Sequence, residues 1–362
     1  PVDGASIQLT IDLEYQAILQ EELAMQVEKT SASSAMGLIL NPQTGDILAM
    51  ATVPDFDPNY PGRGEIGWQR NKVITDQFEP GSTFKIVPIT GAVDQNTVSL
   101  WQEFNCENGS YTFAGQTIKD WDDFGLLTVP QIMENSSNVG VIKIAETLGR
   151  NNLYRYSRNL GFGMATNISL AGEHPGTLRQ VTEWSHISLA QISLGHEVGV
   201  TTLQLGMAYA AIANGGFLMK PRLIKQIISS SGKTVYAEQP EVIRKVASKN
   251  VMDIMIDMLC RVVDTGTGTK AAINGWSVAG KTGTAQKYID GHYSNKKFIS
   301  NFVGFLPADN PQLVGVIILD EPKIGYHWGG HGAAPVFKRV MERIINMDDS
   351  IRLLKPQTIK NG

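Results

Sequence analysis

Trp276-Ser277-Val278-Ala279-Gly280-Lys281-Thr282-Gly283-Thr284-Ala285 is the stretch on which the reading of this chain turns. Small, apolar and β-branched residues follow one another there without a helical period, so the stretch reads as a strand. Two more strand-like runs follow, 298–306 and 313–319, joined by Pro307-Ala308-Asp309-Asn310-Pro311. At the other end of the chain, 36–40 and 46–53 flank Asn41-Pro42-Gln43-Thr44-Gly45, whose turn chemistry predicts a β-hairpin. Leu13, Ala17, Ile18, Leu23, Ala24 and Val27 recur close to helical spacing over 12–29, and 332–345 reads as an amphipathic helix. Residues 54–80, rich in Pro, Gly and Asp, read mostly as loop.

The centre, about 82 to 260, is of another kind. It holds helices such as 139–148, stopped by Gly149, and 203–213, stopped by Asn214-Gly215-Gly216. Strands at both ends with helices between predict an α+β fold, an antiparallel sheet made by the two termini with a mostly helical lobe inserted. The α/β lobe is expected over about 1–80 and 260–346 and the helical lobe over about 82–258. A polar, peripheral tail is expected from 347 to 362. A cleft between lobes is where a site belongs.

Composition narrows the function classes. Of 362 residues, 42% are hydrophobic and 18% charged, which suits a packed domain and not a disordered one. A net charge of −4 offers no footprint for nucleic acid. Cys106 and Cys260 are too few for a disulfide framework and lack metal-ligand spacing; one disulfide or two unpaired thiols both fit. No window reaches the roughly 18 apolar residues of a membrane span. The chain opens Pro1-Val2-Asp3-Gly4 without an initiating Met, so it reads as an excerpt whose anchor, if there is one, lies outside it.

Three short motifs occur in order: Ser82-Thr83-Phe84-Lys85, Ser136-Ser137-Asn138 and Lys281-Thr282-Gly283-Thr284. Ser230 to Lys233 and Ser294 to Lys297 also match S-x-x-K, and Ser157-Arg158-Asn159 and Ser248-Lys249-Asn250 also match S-x-N. Context separates them. Glu79-Pro80-Gly81 is a turn that opens a helix, which places Ser82 near free backbone N–H groups and Lys85 one turn on, within reach of its hydroxyl. The decoys fall in a turn (230–233) and a loop (294–297).

The ordered set resembles that of serine β-lactamases and penicillin-binding proteins. The likeness extends through Gly172-Glu173 with Pro175-Gly176, Val200-Thr201 before Leu203-Gln204-Leu205, 280–286, and Asn301-Phe302-Val303-Gly304-Phe305. Together these look like class B penicillin-binding proteins, nearer the cell-division than the elongation branch. Thr202 and His196 depart from that pattern, where Pro and an aromatic or Gln are commoner. The resemblance implies a serine β-lactamase/transpeptidase-like fold and a peptidoglycan D,D-transpeptidase acting on D-Ala-D-Ala stem peptides. It also implies a target of β-lactam antibiotics on the extracytoplasmic face of the bacterial inner membrane. There it would work beside a membrane-embedded, lipid-linked glycan polymerase and divisome proteins, through regions outside this chain.

The chemistry explains why such a set works. Ser82 needs a base, and Lys85 serves only if neutral, which burial and the like charge of Lys281 favour. Ser136 relays a proton, and Asn138 bonds the lysine or the substrate amide. Lys281, Thr282, Gly283 and Thr284 present charge, hydroxyls and open backbone to a carboxylate-bearing substrate, and the N–H groups of Ser82 and Thr284 form an oxyanion hole. No cofactor and no metal is called for; His327 and His331 lack a helical spacing and an acidic partner, and read as a Gly-rich loop rimming the cleft. Related readings are a D,D-carboxypeptidase or β-lactamase, and a non-enzymatic β-lactam sensor. Glu173, 37 residues after Ser136 (173 − 136), has the separation of a deacylating glutamate but sits in a Pro- and Gly-rich turn.

Overall fold

The computed structural model describes residues 4–354. Its centre is a five-stranded antiparallel sheet built, as expected, from the two ends of the chain. The N-terminal hairpin gives β1 (Ser34–Leu40) and β2 (Ile47–Val53); the C-terminal third gives β3 (Ala279–Ile289), β4 (His292–Leu306) and β5 (Leu313–Asp320). The order is β3-β4-β5-β1-β2, so β1 pairs with β5, Leu38 opposite Val316, and closes the sheet across the molecule. The 41–45 turn is made as its residues dictate. Asn41 Oδ1 accepts from the Gln43 N–H at 2.8 Å, and Gly45 takes the left-handed φ of +76°.

Both faces of the sheet are covered, which is why β1 is buried at every residue. Helices α1 (Leu13–Thr30) and α6 (Ala334–Met347) cover one face, packing Leu19, Leu23, Phe337 and Ile344 against Ala35 and Ile39. On the other face lies α4 (Thr202–Ala213), against Leu38, Leu40 and Val316. Close approach there depends on Gly206, where a Cβ would sit 2.7 Å from Leu38 Cδ2. Beyond α4 the helical lobe continues through α2 (Ile86–Asp94) and α3 (Asn138–Leu148), in one apolar core with the sheet's inner face.

Three expectations change. A helix, α5 (Lys249–Asp264), runs across the boundary expected between 258 and 260 and packs against both α2 and β3, so the lobes join there through continuous structure. The mostly helical lobe also carries small sheets. One is Ile224–Ile228 flanked by Ser6–Leu9 and Thr234–Ala237, which brings the N-terminal strand onto a segment over two hundred residues away. The tail is not peripheral from 347: Asp349–Arg352 forms a helical turn, Ile351 is buried, and Tyr15 donates its hydroxyl to Asp348 Oδ2 at 2.5 Å. Residues 355–362 of the expected tail lie outside the described residues.

Candidate active site

The turn that presents Ser82 is made where three backbones meet without side chains between them. Gly81 has a φ of +58°, and a Cβ on it would lie 2.6 Å from the Thr284 carbonyl. Gly195, at φ +82°, would place a Cβ 2.2 Å from the Gly81 carbonyl, and its own carbonyl accepts from the Gly81 N–H at 3.2 Å. Only glycine fits such contacts. Ser82 sits on a 3₁₀ turn, Gly81–Lys85, that runs directly into α2. Thr83 Oγ1 donates to the Pro80 carbonyl at 2.9 Å, Asn301 Nδ2 donates to the same oxygen at 3.2 Å, and the buried Tyr209 hydroxyl donates to the Thr83 carbonyl at 2.9 Å.

Lys85 is fully buried. Its Nζ donates to the Ser136 carbonyl at 2.6 Å, to Asn138 Oδ1 at 2.8 Å and to Ser136 Oγ at 3.3 Å. These bonds, and none to the Ser82 hydroxyl, are the ones the structure gives it, because Ser136 and Asn138 surround the amine with acceptors. Burial lowers the amine from 10.5 to about 7, while the charge of Asp120 pulls it back up. Lys281 is also fully buried, and burial, then the charge of Lys85, holds it well below the usual lysine range. The two like charges act on each other, so the pair resists carrying two protons at once.

Ser136 and Asn138 sit between two helices. Ser136 ends the helix Val129–Asn135 in a left-handed conformation, φ 57°, and Ser137 caps α3, accepting from the Gly140 N–H at 2.9 Å. Asp120 fixes this junction. It accepts from the Asn138 N–H, from the Val139 N–H at 3.2 Å and from the Ser137 hydroxyl at 2.7 Å. Asn138 Nδ2 donates to the Lys119 carbonyl at 2.8 Å, which aims its Oδ1 at Lys85. Asp120 belongs to no motif, and nothing in its neighbours Lys119 and Trp121 marks it.

β3 is the edge strand of the sheet and forms the opposite wall. It begins at Ala279 and not at 276, and runs on to Ile289, further than its apolar pattern suggests. Its exposed end pairs with the start of β4 through the Asp290-Gly291 turn, φ +51° and +83°, as a hairpin reaching past the body of the sheet. Gly283 lies over Asn301, and a Cβ there would be 2.2 Å from Asn301 Oδ1. The Thr282 hydroxyl is 2.7 Å from that of Thr267, and Thr284 Oγ1 accepts from the Gly329 N–H at 3.0 Å. Ser82, Ser136, Asn138, Thr282 and Thr284 all line one cleft of about 610 Å³, rimmed by the 328–331 loop that includes His331. Lys85 and Lys281 lie buried behind this lining.

The other matches fall elsewhere. The 229–233 turn, with Gly232 at φ +82°, is exposed, and Ser294 lies not in a loop but in β4, where its hydroxyl accepts from the Lys296 and Lys297 N–H groups. Ser157 is inside the helix Arg150–Asn159 and Ser248 caps α5. Glu173 accepts from Thr166 and Asn167 and holds a loop together, away from the residues that line the cleft. Cys106 and Cys260 are both free thiols, and among the described residues no three His, Cys, Asp or Glu side chains converge as a metal site would need.

A serine, two buried lysines and a Ser-x-Asn junction are thus gathered around one cleft. The chain belongs to the family described as the penicillin binding protein transpeptidase domain, which matches residues 35–342. It is 34% identical over 347 residues to the probable peptidoglycan D,D-transpeptidase PenA of Neisseria meningitidis, covering 96% of this chain and 58% of that protein. It is 34% identical over 342 residues to the peptidoglycan D,D-transpeptidase FtsI of Escherichia coli, covering 94% and 56%. The chain thus spans a little over half the length of these curated relatives. Among solved structures it superposes on penicillin-binding protein 3 of Mycobacterium tuberculosis complexed with ampicillin, with a TM-score of 0.88 and 30% identity over 96% of this chain and 79% of that one. The likeness to class B penicillin-binding proteins of the division branch is borne out by these relatives.

Proposed function

We propose that this domain is a peptidoglycan D,D-transpeptidase, with Ser82 as its nucleophile. The observation that carries the reading is Lys85. It is a fully buried amine lowered to about 7, three residues from a cleft-lining serine and bonded to both Ser136 and Asn138. A neutral amine there takes the Ser82 proton, directly or through Ser136, as Oγ attacks the penultimate carbonyl of a D-Ala-D-Ala stem. The backbone N–H groups of Ser82 and Thr284 hold the oxyanion, a contact worth about 10²–10³ in rate per donor. Ser136 returns the proton to the departing D-Ala. Lys281, Thr282 and Thr284 hold the terminal carboxylate, Gly283 leaves the strand open, and β3, as an edge strand, takes the extended peptide alongside it. An amine from a neighbouring stem then resolves the acyl-enzyme. β-Lactams acylate Ser82 in place of the stem.

The domain acts on the extracytoplasmic side of the inner membrane, beside a lipid-linked glycan polymerase and divisome proteins reached through other regions of the protein. Among the described residues no helix is long and apolar enough to cross a membrane. The deciding experiment supplies a D-Ala-D-Ala stem peptide with and without an acceptor amine and follows both free D-Ala and cross-linked product. Cross-linked product in the presence of acceptor is expected. Equal D-Ala release without acceptor, and no cross-link with it, would make the domain a D,D-carboxypeptidase.

A further inference from the structure

An imidazole that the acylation chemistry leaves unused lines the cleft, paired with a carboxylate behind it. His196 lines the cleft with Ser82, and its Nδ1 lies 2.8 Å from Glu79 Oε2. An ionised carboxylate only accepts, so Nδ1 carries the hydrogen and Nε2 of the neutral ring is an acceptor. Nε2 has no hydrogen bond among the described residues. The other oxygen of Glu79 accepts from the Glu197 N–H at 2.9 Å and the Tyr293 hydroxyl at 3.2 Å. Burial and the Glu79 charge hold the Tyr293 phenol well above its usual range, so it remains a donor, and its ring meets the imidazole edge-on at 5.3 Å.

The turn that carries His196 is fixed to the nucleophile. Gly195, the residue before it, packs its backbone on Gly81, the residue before Ser82. Glu197, the residue after it, is held at φ +54°, with its carboxylate on Arg179 and on the Ser188 hydroxyl. Non-glycine residues keep such a conformation only when their surroundings hold them there. The charged and titratable groups around the ring are Glu79, Tyr293 and Glu197, the last paired with Arg179. Lys119, Asp120 and His331 line the same cleft.

Resting on the transpeptidase reading, we propose that His196 is the general base of the second half-reaction and takes a proton from the acceptor amine at Nε2, with Glu79 and Tyr293 as its positioning residues. The acceptor arrives as an ammonium and cannot attack until it loses a proton. One ammonium proton goes to Nε2, and the freed electron pair forms the C–N bond to the Ser82 ester carbonyl. The C–Oγ bond then breaks, and a second nitrogen proton passes through Lys85 and Ser136 to Oγ. The third remains on the new amide, and His196 returns its proton to solvent. Two bases serve because Lys85 and Ser136 are committed to the serine oxygen at that step.

The test forms the acyl-enzyme from a thioester analogue of the acyl-D-alanyl donor and offers D-alanine as acceptor, from about pH 6 to about pH 9. It reads the ratio of aminolysis to hydrolysis in wild type, His196→Gln and Glu79→Gln. Glutamine at 196 keeps a hydrogen bond to Glu79 but cannot carry the proton. The expected result for His196→Gln is a fall of at least about ten-fold in the aminolysis-to-hydrolysis ratio, beyond any fall in acylation, largest at about pH 7 and smaller at about pH 9, where more of the acceptor is already free amine. Glu79→Gln should lower the same ratio by less than His196→Gln does, because the imidazole remains and only its positioning partner is changed. A His196→Gln ratio within about three-fold of wild type at every pH, or an equal fall in acylation and aminolysis, overturns the proposal. If wild type forms no acyl-enzyme, the transpeptidase reading itself fails, and that outcome is distinct from both.

Discussion

At Lys85 the displacement from 10.5 to about 7 corresponds to roughly 5 kcal/mol against the ammonium. Because the folded pKa is the lower one, the unfolded chain binds the extra proton between about pH 7 and 10.5. The strain on the fold is therefore largest below pH 7 and is relieved as pH rises through that window. The same displacement makes a kinetic prediction. The rate of acylation by penicillin should rise with pH through about 7, as Lys85 becomes neutral. Lys85→Ala should remove that rise and slow acylation by about 10²- to 10⁴-fold while weakening initial binding much less. A stopped-flow pH series on the two proteins checks it, and a variant that acylates at wild-type speed would leave Lys85 without the role. Ser82, Lys85, Ser136, Asn138 and the 281–284 run were legible because each motif lies within four residues of chain. Asp120 was not, since it acts on a helix start 18 residues away through contacts that only the folded chain creates.

At the scale of elements, the site depends on backbone meeting backbone. Gly195→Ala puts a Cβ 2.2 Å from the Gly81 carbonyl and forces alanine into a left-handed φ of +82°. The contact has no flexible end to give way, so either the 3₁₀ turn or the 195–197 turn must move. We expect a loss of about 2 kcal/mol or more in denaturant-induced unfolding, with acylation slowed in the molecules that remain folded. Gly232→Ala, also at positive φ but in open space, should cost stability without touching acylation. The elements themselves were legible where their signals are local: the 41–45 hairpin, α1, α3, α4 and α6 fall within a few residues of where their apolar spacing and stop signals put them. β3 was misplaced at both ends. Its last four residues, Gln286 to Ile289, are held by pairing with β4 beyond the buried part of the sheet, and no burial pattern marks them.

At the scale of the molecule, the arrangement of termini around an inserted centre followed from the order of strand and helix signals, because short loops and an antiparallel sheet leave few other ways to close. The exact junction of the lobes did not follow, since α5 carries a continuous apolar stripe from one to the other. Nor did the sheet of Ser6–Leu9 on Ile224–Ile228, which joins segments over two hundred residues apart. On the proposed reading, the whole arrangement sets one serine of many beside a buried amine and an open edge strand. Intact-mass measurement after incubation with penicillin, followed by peptide mapping of the adduct, should show a single long-lived penicilloyl group on Ser82. The adduct should be absent from Ser82→Ala, while thermal unfolding of that variant stays close to wild type. An adduct that persists in Ser82→Ala and maps to Ser230, Ser294 or any other serine would contradict the account.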